Sequence, residues 1–196
     1  MSHTRDSHAQ STSLALRTTI QGIRMKFPTV KLVTTSTLQK WMDGVENTDM
    51  PDSAASTAGK HSKLIVIDAR PDLEYGISHI AKSINVNFET EDMESVKILM
   101  MQEANCQSPE QVAARVVLYC SVGYRSSVLA DKLQKATKPD PAYKYWNFFN
   151  LEGSIFKWAN ENKPLVDQQG QPTNYIHPFN SLWGKLVDKE RWKSTL

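Results

Sequence analysis

Short runs of consecutive apolar residues punctuate this chain, and amphipathic stretches lie between them. Leu64-Ile65-Val66-Ile67 leads into Asp68, and Val116-Val117-Leu118-Tyr119 leads into Cys120. Runs this short, apolar on every position, fit strands covered on both faces, as in a parallel sheet. Trp146-Asn147-Phe148-Phe149-Asn150-Leu151 supplies a further strand, and the alternation of Ser83-Ile84-Asn85-Val86-Asn87 another. The intervening segments carry helical spacing. Leu38 and Trp41 follow a cap at Thr34 or Thr35 and precede Gly44. Pro71 opens a short helix whose first turn holds Asp72 and Glu74. Met93, Val96, Leu99 and Met100 share one face between residues 90 and 105, and Ser108-Pro109-Glu110-Gln111 forms a compact helix start. Further helices run from the residues after Cys120 to about Ala136 and from Gly153-Ser154 to before Pro164. Strands alternating with helices make the class α/β: a central, mostly parallel sheet flanked by helices on both faces.

Both ends differ from this middle. Residues 1–29 form a mobile or amphipathic N-terminal segment. Leu16, Ile20, Ile23 and Phe27 recur at helical spacing with Arg17 and Arg24 around them, and Asp6 is the sole acid before Asp43. A short helix packed on the domain is the simpler reading. A mitochondrial or plastid transit peptide has the same composition. The domain itself spans 30–168, interrupted by a polar surface loop at 45–62. Residues 169–196 contain Tyr175, Ile176, Phe179, Leu182, Trp183, Leu186 and Trp192. So apolar an extension is expected to pack back on the domain and end in a helix, with partner binding or dimer formation as the alternative role.

Composition narrows the chemistry. The 196 residues fit one domain with attached segments. Its 23 basic and 21 acidic residues are interspersed, which gives no support to a nucleic-acid or membrane-surface partner. Nothing approaches the ~18 apolar residues of a spanning helix. Two cysteines, Cys106 and Cys120, cannot build a disulfide framework, so a reducing compartment, the cytoplasm, is expected. The five histidines are dispersed, with no paired metal-ligand spacing, and no phosphate-binding glycine loop occurs. No metal and no cofactor are expected.

Cys120 is the candidate nucleophile. It sits between an apolar strand and a helix, and the loop Ser121-Val122-Gly123-Tyr124-Arg125-Ser126-Ser127 follows it. A tight loop can aim successive N–H groups at one point, and the helix adds the positive end of its dipole. Together with the Arg125 cation these favour a thiolate over a thiol. A lone cysteine closing a core strand is usually packing. Here the glycine, the arginine and the paired serines outweigh that reading. Cys106 lies in a polar stretch with no such surroundings and is a weak candidate for a resolving thiol.

Three segments together resemble the rhodanese domains. Ile67-Asp68-Ala69-Arg70, Glu74-Tyr75, His79-Ile80 and Ile84-Asn85-Val86 are similar to that family's opening signature. Val117 through Ser126 resembles its active-site loop, and Leu151-Glu152-Gly153, Trp158 and Pro164-Leu165-Val166 its closing elements. The resemblance covers roughly residues 30–168. It implies a single rhodanese-like domain and sulfurtransferase activity through a persulfide on Cys120. Its partners would be a small sulfur donor such as thiosulfate and a thiol or cyanide acceptor, the acceptor thiol being possible on a protein. Ser121, Val122, Gly123, Tyr124, Arg125 and Ser126 would bind the substrate: Gly123 by its backbone freedom, Arg125 by holding an anion, Ser126 by capping the next helix or donating to the sulfur, and Tyr124 as rim. Asp68 and Arg70 are expected to support the structure as an ion pair, and His79 to be a satisfied hydrogen-bonding residue.

Three departures from the family pattern matter. Arg125 is the sole cation in the loop, which puts thiosulfate in doubt as the donor, while Ser78 and Glu152 replace glycines. Phosphatases of the cell-division-cycle type and arsenate reductases share the fold. Their loop is one residue longer than the four separating Cys120 from Arg125, and the shorter ring suits a single sulfur. A non-enzymatic interaction module is the remaining alternative.

Overall fold

The computed structural model describes residues 13–45 and 62–195. Five strands form one sheet: β1 (Lys31–Val33), β2 (Ser62–Asp68), β3 (Ile84–Asn85), β4 (Ala113–Tyr119) and β5 (Trp146–Leu151). Their order is β1-β5-β4-β2-β3, and every pairing is parallel. The central strands β2 and β4 pair from Ser62–Ala113 to Asp68–Tyr119, so both end at the same edge, where Asp68, Tyr119 and then Cys120 emerge.

Side-chain alternation divides the core into two layers. Val66, Val117, Tyr119 and Phe149 face α1 (Leu14–Lys26), α2 (Thr35–Met42) and α6 (Ser154–Asn160), which bury Leu16, Ile23, Leu38, Trp41, Ile155, Phe156 and Trp158. Ile65, Ile67, Val116, Leu118 and Phe148 face α4 (Met93–Glu103) and α5 (Tyr124–Thr137), which bury Val96, Met100, Leu129 and Leu133. Cys120 belongs to this second layer. The remaining helix, α3 (Asp72–Ile77), follows β2 directly, and a small antiparallel pair, β6 (Leu165–Val166) and β7 (Pro172–Thr173), closes the chain's return.

Ordered structure starts earlier than residue 30. Ser13 caps α1 by accepting from the Leu16 N–H, and Leu16 is fully buried. The N-terminal segment is therefore a packed helix over 14–26. The C-terminal extension does pack on the domain, with Ile176 and Val187 buried against the first layer. Among its described residues it contains β7 and, in place of an α-helix, 3-10 turns at Trp183–Leu186 and Lys189–Arg191. The first of these turns is closely packed: a Cβ on Gly184 would lie 2.6 Å from Trp192 Cζ2 and 2.8 Å from Pro178 Cβ. Two smaller expectations also shift. The capping box at Ser108 closes one 3-10 turn, Pro109–Gln111, because β4 begins at Ala113. Leu99 points outward, since Val96 and Met100 one turn apart already fill the α4 seat. Of the expected surface loop at 45–62, residues 46–61 lie outside the described residues, and Ser62 already opens β2.

Candidate active site

Cys120 follows β4 directly, and its sulfur accepts the Gly123 N–H at 3.1 Å. Gly123 is the residue before α5 and takes φ +115°, a backbone conformation that favours glycine. The turn thus brings the sulfur to the N-terminal end of a 14-residue helix, where the first N–H groups have no intrahelical partner.

Asn150 on β5 locks this turn. Its side-chain amide donates to the Gly123 carbonyl (3.1 Å) and to Ser127 Oγ (2.9 Å), while its oxygen accepts from Ser126 Oγ (2.7 Å). α6 holds the other side of the loop. Its first N–H groups, from Ile155 and Phe156, donate to the carbonyls of Cys120 and Ser121 at 3.1 Å each. Ser154 Oγ accepts from the Cys120 N–H at 3.2 Å, with Ser154 itself at φ +51°. The loop is fixed by neighbours on both sides, so its sulfur site is set before any ligand arrives.

Arg125 is committed within the protein. Its guanidinium donates to both carboxylate oxygens of Glu74 (2.6 and 2.8 Å) and to Ser121 Oγ (2.8 Å). Ser121 in turn donates to Glu74 at 3.2 Å. Burial alone would raise the Glu74 carboxyl, but the hydrogen bonds and charge of Arg125, with Arg70 and His177 adding, hold it below its ordinary value. Burial works against the Arg125 charge, and Glu74 with the nearby Cys120 sulfur more than offsets it. The arginine still lends field to the sulfur, yet its bidentate face is taken.

Behind the loop, Asp68 and Arg70 form a fully buried ion pair at 2.6 Å. Arg70 also donates to the Ser78 carbonyl, and Asn85 donates to the Asp68 and Arg70 carbonyls. Tyr119, buried beside them, donates to or accepts from Ser83 Oγ and accepts the Ile80 N–H. These contacts brace the edge from which Cys120 emerges. His79 stacks on Tyr75 at 3.8 Å, with its Nδ1 3.1 Å from the Tyr75 carbonyl, and stays outside the pocket.

A cavity of about 340 Å³ opens over the sulfur. Cys120, Ser121, Val122, Tyr124 and Arg125 form its floor; Thr19, Gly22, Ile23 and Lys26 of α1 form one wall; Phe179 and Trp183 form the other. Ser126 does not reach it: the side chain is fully buried and spent on Asn150, which corrects its expected place beside the sulfur. Gly123 contributes through its N–H, and Tyr124 takes the rim, where its hydroxyl accepts from Lys26 Nζ at 2.9 Å. Phe179 adopts φ +63°, a strained choice for an aromatic residue costing about 1–3 kcal/mol. That conformation sets its ring 4.6 Å from the Arg125 guanidinium carbon. His177 is held below its usual value by burial, with Arg70 and Arg125 pushing the same way against Glu74.

Sequence reasoning missed Glu74 as the Arg125 partner, Asn150 as the loop clamp, and the two flanking walls. No group of His, Cys, Asp and Glu among the described residues could hold a metal. No helix among them is long and apolar enough to cross a membrane.

The family model described as the rhodanese-like domain matches residues 51–161, more than half of the chain. No curated protein matches. Among solved structures, a yeast protein described as a protein tyrosine phosphatase of the rhodanese family is 18% identical, over 66% of this chain and 83% of its own, with a TM-score of 0.49. A rhodanese-related protein from Thermoplasma volcanium is 20% identical over 69% and 97%, with a TM-score of 0.45. A thiosulfate sulfurtransferase from Pseudomonas aeruginosa is 14% identical over 88% of this chain and 26% of that one, with a TM-score of 0.48.

Proposed function

The chain belongs to the rhodanese-like domain family, and from that premise we propose that it is a sulfurtransferase carrying sulfane sulfur as a persulfide on Cys120. The observation that carries this reading is the Cys120 sulfur accepting the Gly123 N–H at the foot of α5, on the floor of a cavity large enough for a donor. N–H donors fixed in advance stabilise negative sulfur without reorganising and without titrating.

In the first half-reaction the Cys120 thiolate attacks the sulfane sulfur of the donor. A new S–S bond forms to Sγ, the donor's bond to that sulfur breaks, and the leaving group takes the electron pair; with thiosulfate it departs as sulfite. In the second half-reaction a thiolate or cyanide attacks the outer sulfur, the Sγ–S bond breaks, and its electrons return to Cys120. The Gly123 N–H holds Sγ of the free Cys120, and the outer sulfur of the persulfide would lie in the cavity near the same helix N-terminus. Arg125 adds positive field, positioned by Glu74 and Ser121. Small donors and a thiol or cyanide acceptor fit this scheme, as does a protein thiol reaching the cavity mouth.

The four-residue ring between Cys120 and Arg125, and the commitment of Arg125 to Glu74, weigh against phosphoryl chemistry, which needs that guanidinium for a tetrahedral oxyanion. Steady-state transfer to cyanide with varied donor tests the proposal. Parallel double-reciprocal lines, and loss of turnover in Cys120→Ala, are expected. Turnover that survives Cys120→Ala, or hydrolysis of an aryl phosphate that Cys120→Ser abolishes, would overturn it.

A further inference from the structure

Both walls of the Cys120 cavity come from outside residues 51–161, the part matched by the family model. What they select is a property of this chain's own extensions, α1 and the segment around Phe179. Of the residues lining the cavity, Gly22, Ile23, Val122, Tyr124, Phe179 and Trp183 present carbon, and the charged ones are Lys26 and Arg125.

We propose that this cavity selects a sulfur donor with a single negative charge and an apolar, preferably aromatic, body, ahead of the inorganic dianion thiosulfate, and that Phe179 and Trp183 set the preference. The inference rests on the sulfur-transfer reading and adds a substrate class to it.

Three observations carry it. The first is charge. Arg125 is already neutralised by the bidentate contact with Glu74, whose side chain is as buried as its own. Lys26 is the other cation on the wall, and its amine lies against the Tyr124 hydroxyl and ring. A dianion entering this space loses water on both charges and meets, among the described residues, one lining cation without a carboxylate partner, Lys26, whereas a monoanion loses less and is matched by that single charge. The second is size. About 340 Å³ falls within the range occupied by small organic ligands, and an inorganic tetrahedral anion leaves most of it unfilled. The third is the way the walls are held. Ile176 and Val187 anchor the tail in the core, Gly184 packs against Trp192, and Phe179 keeps a strained backbone that points its ring at Arg125. An aromatic donor in the cavity would meet that ring and Trp183 in edge or offset contact.

An aryl thiosulfonate has the required chemistry. Cys120 thiolate attacks its outer sulfur, the Sγ–S bond forms, the S–S bond of the thiosulfonate breaks, and an aryl sulfinate leaves with the electron pair. No oxidant or further reactant is needed.

The test compares kcat/KM for benzenethiosulfonate, methanethiosulfonate and thiosulfate, in the full chain and in Phe179→Ala and Trp183→Ala. Because the donors differ in intrinsic reactivity, the readout is the change in their ratios. In each variant the benzenethiosulfonate-to-methanethiosulfonate ratio should fall about tenfold, and the ratio to thiosulfate by at least as much. Phe179→Leu, which keeps bulk but not the ring, should fall between. Ratios that stay within twofold of the unaltered chain in Phe179→Leu and in whichever alanine variants fold would overturn the inference. Absence of sulfur transfer from all three donors in the unaltered chain would instead remove the reading on which it rests.

Discussion

Glu74 holds Arg125 through two hydrogen bonds of 2.6 and 2.8 Å, so the cation next to Cys120 is part of an ion pair before any ligand arrives. Arg125 lines the cavity floor with Glu74 behind it, their side chains 11% and 6% exposed, where neither partner can be rehydrated cheaply. Glu74→Gln should therefore cost about 3 kcal/mol in denaturant unfolding. The sign with pH follows from the lowered Glu74 value. The unfolded carboxyl binds protons more readily than the folded one, so the stabilisation is complete above the usual value of 4.5 and is lost as pH falls through the lower folded value. His177, also lowered, makes the unfolded chain bind more protons below its usual value of 6.5, so it too weakens the fold on acidification. Unfolding curves from pH 7 to pH 3 should show Glu74→Gln losing less stability below pH 4.5 than the unaltered chain. Equal losses would show that the pair is not the acid-sensitive element.

Asn150→Ala should act at a distance on the sulfur. It leaves the buried Ser126 hydroxyl without its acceptor and removes one of three donors to the Gly123 carbonyl, which keeps the N–H and hydroxyl of Ser127, at a cost of about 2 kcal/mol. It also frees the turn that presents the Gly123 N–H. Alkylation of Cys120 at fixed pH, compared between the folded proteins, is expected to change by severalfold. A stability loss with no change in alkylation would make Asn150 structural only.

Leu16→Ala checks whether α1 belongs to the domain. Leu16 is fully buried against the first core layer, so truncation should cost about 2–5 kcal/mol. A loss well under 1 kcal/mol in thermal or denaturant unfolding would mean that the helix does not occupy this seat in solution.

Gly184→Ala probes the opposite wall. The new methyl would overlap Trp192 and Pro178, and overpacking of this kind costs about 1–3 kcal/mol. The relief available is movement of the 3-10 turn that carries Trp183 into the cavity. The variant should remain folded and show altered Trp fluorescence together with a raised KM for donors. Unchanged values of both would contradict the close packing seen there.

Sequence made the centre of this molecule readable and its periphery much less so. Leu64–Ile67 and Val116–Tyr119 are apolar at every position because helices cover both faces of the sheet there, and a strand with one face in water would alternate instead. The Cys120 loop declared itself because a strand end, a glycine and an arginine fell within six residues. Glu74, by contrast, meets Arg125 across 51 residues, and no spacing rule links them. Asn150 lies within an apolar strand and looks like a solvent-facing interruption until α5 is placed over it. The tail's apolar content suggested a terminal helix, whereas its described residues form separate 3-10 turns, with Gly184 packed closely against Trp192. That the tail would line the site could not be seen from periodicity at all.

The central claim is that Cys120 carries sulfur. Intact-mass measurement after brief incubation with thiosulfate and, separately, benzenethiosulfonate addresses it directly, with fragment analysis to locate any adduct. A gain of one sulfur atom on Cys120 is expected, absent in Cys120→Ala and removed by cyanide. An unmodified mass with every donor, or a sulfur found on Cys106 instead, would contradict it.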